Sequence, residues 1–300
     1  MRIVVAGGTG FLGSALVERL QKDGQAVTVL TRHPARSHHL RWDPYGAITA
    51  WAHVLEGADA VVNLAGASIN NRWTATYKRA MWNSRVQVTR SLVAAMKSVR
   101  RIPPTLVNAS AIGIYGPHDD EPLTEESGAG SGFLAGLGVA WEKEALAAGP
   151  EARVVLLRNG VVLGREGGAL PHIALPFRLF VGGPIGSGRQ YVSWIHRDDW
   201  AALVVWALSN TTVSGPLNAT APNPVTNLEF SRTLGRVLHR PAFVPAPAFV
   251  VRAVIGEMAD VALTGQRVFP DKAHSLGFDF QFPTLEPALR AVYGDAGQRV

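Results

Sequence analysis

Residues 2–13 read Arg2-Ile3-Val4-Val5-Ala6-Gly7-Gly8-Thr9-Gly10-Phe11-Leu12-Gly13. An apolar strand runs directly into a glycine turn that opens a helix. Gly7, Gly10 and Gly13 stand at a G-x-x-G-x-x-G spacing, and each has a physical task. The first permits the tight turn, the second lets backbone N–H groups and the helix N-terminus approach a pyrophosphate, and the third lets helix and strand pack closely. A glycine triplet alone is weak evidence, but here it has the strand–turn–helix setting that a dinucleotide site demands.

Outward from that turn, strand-like and helix-like stretches alternate. A helix near 11–23 is followed by strands at 26–30, near 40–42 and at 58–64, a long helical pattern over 74–99, a strand at 105–109, a helix near 133–148 and a strand at 153–157. Such alternation predicts an α/β fold, a Rossmann-type doubly wound parallel sheet covered by helices. Beyond Gly164 the chain is punctuated by glycine and proline, at Gly167-Gly168, Gly182-Gly183-Pro184 and Pro216–Pro224. We therefore assign 1–164 to the dinucleotide-binding domain and 165–300 to a smaller C-terminal substrate lobe, with a helix at 198–209 returning to the sheet.

The composition narrows the function classes. The 300 residues are 47% hydrophobic and include no cysteine, which removes disulfides, thiolate nucleophiles and thiolate-bound metals from consideration. A reducing cytoplasm is the natural compartment. No apolar run reaches the roughly 18 residues of a membrane span and no signal-peptide layout is present, so no membrane partner is expected. The net charge is +6, yet the basic residues are scattered, without a basic stripe or tail, and nucleic acid is not expected either.

The second strand ends at Thr31-Arg32, where an NAD site usually carries an acidic residue for the ribose hydroxyls. A guanidinium there can pair with the 2′-phosphate of NADP, and Thr31 can add a hydroxyl, so the expected cofactor is NADP(H); a solvated loop arginine is the competing reading. Trp42-Asp43, after the third strand, could flank the adenine. Asn63-Leu64-Ala65-Gly66, after the fourth, should pass beneath the adenine ribose, because ligands of open α/β sheets collect at the carboxyl ends of the strands.

These residues, together with Ser84-Arg85, Arg158–Gly164, Gly182–Gly188, Ser193–His196 and Asn218–Pro222, give a chain that resembles the NAD(P)-dependent epimerase/dehydratase group of the extended and atypical short-chain dehydrogenase/reductase superfamily. Within it, the sequence is most similar to the sugar-nucleotide epimerase-like subfamily, whose small extra module would span about 247–293. The resemblance implies NADP contacts at Gly7, Thr9, Gly10, Phe11, Leu12, Thr31, Arg32, Leu64, Ala65, Gly66, Arg85 and Val162. Arg85 falls where extended members have asparagine; it would neutralise cofactor phosphate or be an ordinary surface arginine.

Members that do chemistry carry a Tyr-x-x-x-Lys pair on the helix after the fifth strand, where residues four apart share a face and the lysine lowers the phenol pKa. With Glu142 aligned to the acidic residue common on that helix, Leu134 and Gly138 take the two positions, and neither can transfer a proton. Ser110 matches the usual Ser/Thr beside the substrate, or simply ends its strand. Tyr115 is the nearest substitute acid, or a packing aromatic beside a glycine turn. Arg189 could bind an anionic substrate, and Gln190, Trp194 and His196 could line the cleft; His196 titrates in the range useful for acid–base work, but it also precedes a helix whose N-cap is expected at Asp198 or Asp199. No metal site is expected. The leading expectation is an NADP(H)-dependent oxidoreductase or epimerase-like enzyme on a small polar or nucleotide-linked substrate. The alternative is a non-catalytic NADPH-binding sensor. The helices at 74–99 and 133–148 could also support a homodimer.

Overall fold

The computed structural model describes residues 1–294. Seven parallel strands form the central sheet: β1 (Arg2–Ala6), β2 (Ala26–Thr31), β3 (His39–Arg41), β4 (Ala60–Asn63), β5 (Thr105–Ala111), β6 (Arg153–Asn159) and β7 (Gly215–Ala219), in the order β7-β6-β5-β4-β1-β2-β3. The register runs Ile3 beside Val27 on one side and Ala60 on the other. β1 leads outward to β2 and β3, whereas β4 begins the opposite half, so the strand order reverses at the β1/β4 boundary, where such sheets open a ligand crevice.

Two helical layers cover the sheet. On one face α1 (Phe11–Lys22) lies alongside the helix Arg197–Ser209, and Leu16, Leu20, Leu203 and Val204 bury against Ile3, Val5, Val29 and Val62. On the other face α2 (Ala75–Trp82), α3 (Val88–Ser98) and α4 (Phe133–Leu146) approach the sheet, with Leu92 and Met96 packed on Val4, Val61 and Leu106. The continuous apolar strands follow from this two-sided burial, since neither face of a parallel sheet meets water. α2 and α3 are the expected long helix at 74–99, interrupted by one π-helical turn at Asn83–Gln87 that carries Arg85. Such single turns re-aim side chains and recur at functional sites.

Two features differ from expectation. The seventh strand, β7, comes from beyond residue 164, inside the stretch read as lobe because of its prolines. Pro216 is tolerated because β7 is the edge strand and pairs only with β6. The helix Arg197–Ser209 is capped by neither aspartate. His196 is the N-cap, its Nδ1 accepting from the Asp198 N–H at 3.1 Å, while buried Asp199 accepts from the N–H groups of Gln281 and Phe282, both at 2.9 Å.

The remaining chain builds a second core of Leu163, Leu170, Phe177, Trp194, Phe230, Leu234 and Leu289. It is tied to the sheet by two parallel strands, Val161–Leu163 and Trp194–His196. Among the described residues, no helix is long and apolar enough to cross a membrane.

Candidate functional site

The glycine turn has the geometry its spacing demands. Gly7 adopts φ +79°, and a Cβ there would lie 2.8 Å from the backbone of Leu64 and Ala65. A Cβ on Gly13 would lie 2.2 Å from the Gly7 carbonyl oxygen, so only glycine lets α1 start this close to β1. Gly10 is different. It is exposed, and a Cβ there would meet nothing nearer than 3.5 Å, leaving the approach to the turn open. Gly10 is also the N-cap of α1 and offers no side-chain acceptor, so the first-turn N–H groups remain available to an anion. Thr9 is exposed beside them, and Leu12 is partly buried. The Phe11 ring is enclosed by Gly164, Gly167 and Gly168, while the Asn70 side chain donates to the Gly168 carbonyl at 3.2 Å. Loops from both halves of the sheet thus converge on the α1 N-terminus.

At the end of β2, Thr31 is buried and its hydroxyl accepts the His33 N–H. Arg32 is exposed, with no ion pair among the described residues and no carboxylate at the strand end. Trp42 turns inward instead, 4% exposed and edge-on to Trp51 at 5.7 Å. It belongs to the core beneath β3, so its ring is not a surface for adenine. Asp43 stays exposed and accepts the Tyr45 N–H at 3.0 Å.

The turn after β4 rests on a buried polar cluster. Asn63 donates to Asn108 Oδ1 at 2.7 Å and to the Thr89 hydroxyl at 2.9 Å, and its own Oδ1 accepts the Ala65 N–H at 3.2 Å. Leu64, Ala65 and Gly66 are thereby held at the carboxyl edge, directly against Gly7. Gly66 faces Arg85, whose guanidinium carbon would be 3.2 Å from a Cβ at that position. Arg85 donates to the carbonyls of Ala67 and Met81 at 2.9 and 3.3 Å and lies 5.2 Å over the Trp141 ring. Among the described residues no carboxylate pairs with it. Burial draws its pKa down to about 10, the signature of a cation whose counter-charge must come from elsewhere. Val162 is buried between the two halves, paired with Ile195.

At the chemical end of the site, the structure withdraws both candidate groups. Ser110 is 2% exposed and points into the α4 side, donating to Glu142 at 2.6 Å; the exposed residue at that strand end is Ala111, a methyl group. Tyr115 is fully buried. Its hydroxyl donates to Asn218 Oδ1 at 2.7 Å and accepts from Arg158 at 3.0 Å, and burial raises its pKa, with Arg158 opposing. It is therefore a neutral structural phenol. Nor is there space for the missing pair on α4: Leu134 packs on Gly113, and a Cβ on Gly138 would sit 3.0 Å from the Ile114 Cβ.

Tyr115→Phe tests this assignment. It leaves Asn218 and Arg158 each short of a partner, and should lower unfolding free energy by about 1–3 kcal/mol while dinucleotide titration is unchanged. A titration that collapses with stability intact would return Tyr115 to the site.

The lobe candidates divide similarly. Trp194 is fully buried and donates to the Asn223 carbonyl at 3.2 Å, and His196 is a buried cap that burial holds below the usual histidine pKa, with Asp198 opposing; neither lines a cleft. Gln190 spends its amide N–H groups on the carbonyls of Ile185 and Ala262, 2.9 Å each, tying 182–190 to the C-terminal segment. Arg189 is exposed, with no ion pair among the described residues.

What the sequence reading did not foresee is the buried ion pair beneath the site. Arg158 Nε and Nη2 donate to the two Glu142 oxygens at 2.9 Å each. Both residues were visible as charges in apolar surroundings, but their pairing across strand and helix was not.

The family profile described as NAD dependent epimerase/dehydratase family matches residues 3–219. The chain belongs to that family. A second profile, a domain of unknown function called DUF1731, matches residues 246–292 of this family member. Relatives include the chloroplastic epimerase family protein SDR39U1 homolog of Arabidopsis thaliana, 42% identical over 300 residues, with 97% of this chain and 86% of that protein covered. The human epimerase family protein SDR39U1 is 40% identical over 297 residues, covering 97% and 99%. A crystal structure of the human protein with NADPH matches with a TM-score of 0.90 at 39% identity, covering 97% of this chain and 99% of that one. A Bacillus cereus UDP-glucuronic acid 4-epimerase shares the fold, with a TM-score of 0.78 at 18% identity.

Proposed function

We propose that this epimerase-family chain is an NADP(H)-binding protein that holds its dinucleotide without the proton relay of the sugar epimerases, so that cofactor occupancy, rather than epimerisation, is its output. The observation that carries the reading is the pairing of an intact phosphate-binding turn with a reaction end built from Ala111, Leu134 and Gly138. None of these three can donate or accept a proton. Gly7, Gly10 and Gly13, the open N-terminus of α1, Arg85 and Arg32 are the groups that would hold the cofactor. NADPH bound to the human relative supports the choice of dinucleotide.

When bound, a nicotinamide dinucleotide supplies a hydride donor or acceptor. The chain's own contribution is electrostatic and steric: α1 offers its backbone N–H groups, Arg85 a desolvated positive charge, and Arg32 a fork suited to a 2′-phosphate. Exposed Arg189 favours a second reading, an oxidoreductase that takes an anionic small molecule and draws its proton from water.

Calorimetric titration with NADPH and NADH separates the parts. Arg32→Ala should weaken NADPH binding by about tenfold to a hundredfold, the range for losing charge-assisted hydrogen bonds, and leave NADH binding unchanged. Equal losses for both would remove Arg32 from the phosphate site. NADPH that binds but keeps its reduced-nicotinamide absorbance through a panel of carbonyl compounds supports the first reading; consumption establishes the second.

A further inference from the structure

Large apolar side chains are exposed on one part of the lobe. Leu179, Phe180 and Val181 directly follow the helix Leu170–Arg178, and Phe243 stands at 78% exposure. Phe249 and Val254, 75% and 72% exposed, lie on the helix Ala248–Ile255, of which no residue is buried. Backbone bonds lay residues 182–186 beside 244–246, the stretch that leads into that helix: Val244 N–H to the Gly182 carbonyl at 3.1 Å, Ala246 N–H to Pro184 at 2.9 Å and Gly186 N–H to Ala246 at 2.9 Å. Most monomers do not leave a connected apolar face of this kind to water.

Within the two stretches that build this face the charged side chains are basic, with the acids Glu257 and Asp260 lying just beyond the helix Ala248–Ile255. Residues 167–196 contain Arg178 and Arg189 and no Asp or Glu, and residues 230–256 contain Arg232, Arg236, Arg240 and Arg252 and again no acid. Arg236 and Arg252 are paired with Glu286 and Asp260. Among the described residues Arg178 and Arg240 have no ion pair, and they sit over aromatic rings, Arg240 at 4.6 Å from the Phe180 centroid. Arginines interleaved with exposed phenylalanine, leucine and valine fit a surface that is apolar below and anionic above. A second copy of the chain would bring the same cations against themselves.

We propose that this face docks on the surface of a bilayer containing anionic phospholipid, with Phe180, Phe243, Phe249 and Val254 entering the interface and Arg178 and Arg240 meeting lipid phosphates. The chain then lies on the membrane without spanning it, which the absence of a long apolar segment does not oppose. The expectation of no membrane partner rested on the lack of a spanning run and of a signal-peptide layout, neither of which bears on surface binding.

The test is co-sedimentation of the full chain with vesicles of phosphatidylcholine alone or mixed with phosphatidylglycerol, at low and high salt. The chain should pellet only with the mixed vesicles and be released by salt. A Phe249→Ser, Val254→Ser double variant should lose at least about tenfold in partitioning, as expected for removing two apolar side chains, with an unchanged circular dichroism spectrum and melting temperature. Arg240→Gln should weaken binding to mixed vesicles without creating binding to neutral ones. The proposal is overturned if the wild type stays in the supernatant, if the double variant pellets equally, or if sedimentation without lipid finds a dimer that the double variant dissolves.

Discussion

Replacing Arg158 by methionine lowers the free energy of unfolding by about 3–5 kcal/mol, the usual cost of leaving one half of a buried ion pair alone. Arg158 and Glu142 are 7% and 6% exposed, and the pair is bidentate at 2.9 Å. Burial alone would lower the arginine pKa, but the Glu142 and Tyr115 oxygens more than reverse this and raise it above its ordinary value. The same guanidinium organises more than its partner. Ser110 donates to Glu142 and Tyr115 accepts from Arg158; Asn218 takes the Tyr115 proton bond and passes its own N–H to Glu125 at 2.9 Å. Strands β5, β6 and β7, helix α4 and the loop bearing Glu125 are joined by this one chain of bonds. In the single variant Glu142 keeps the Ser110 hydrogen bond but loses the guanidinium, leaving a buried carboxylate without its counter-charge. Urea melts of the variant and wild type measure the deficit directly. Arg158→Met combined with Glu142→Leu should recover most of the loss, because two apolar side chains need no partner. A double variant as unstable as the single would mean that the network's hydroxyls, not the paired charges, carry the energy.

That network also shows where the sequence was legible. The glycine turn reads correctly because its constraints are local: a positive φ at Gly7 and a close approach at Gly13 act over a few residues. The continuous apolar strands announce a two-sided parallel sheet for the same reason. Ser110 and Ala111 are harder. Which of two neighbours faces the cleft depends on where β5 ends its alternation, and a one-residue slip exchanges them. Tyr115 sits between glycines and reads as a surface loop, yet the short turn Ile112–Tyr115 folds onto Gly138 and Leu134 and carries the phenol inward. Trp42 and Trp194 have the size for either a ligand platform or a core, and only the partners Trp51 and Asn223 decide between them. Pro216 argues against a strand unless that strand is known to lie at an edge, and edge position is a property of the whole sheet. The geometry that was legible is set by backbone sterics within a few residues; the side-chain placements that were missed depend on contacts between residues far apart in the chain.

Arg85→Met should move stability and dinucleotide affinity in opposite directions. A guanidinium held against Gly66 and Trp141, bonded to two carbonyls and, among the described residues, to no carboxylate, is a buried charge that costs the apoprotein free energy, in line with a pKa drawn down to about 10 by burial. The sign follows from linkage: a cation whose folded pKa is depressed destabilises the fold at every pH below that value, so the penalty is fully present at neutral pH. Methionine fills similar volume without a charge, although it forfeits two hydrogen bonds and the contact with the Trp141 face at 5.2 Å. The balance should be a gain of about 1–2 kcal/mol in the apoprotein. NADPH affinity should fall on the order of a hundredfold, the equivalent of losing a desolvated charge-assisted bond to phosphate, and the stabilisation of wild type by saturating NADPH should shrink accordingly in thermal melts. NADH should suffer equally, because the pyrophosphate is common to both cofactors, which separates Arg85 from Arg32. If the variant is instead less stable and binds NADPH as before, Arg85 is a strut joining the Gly66 turn to the π-helical turn, and the counter-charge must be supplied by α1 and Arg32 alone.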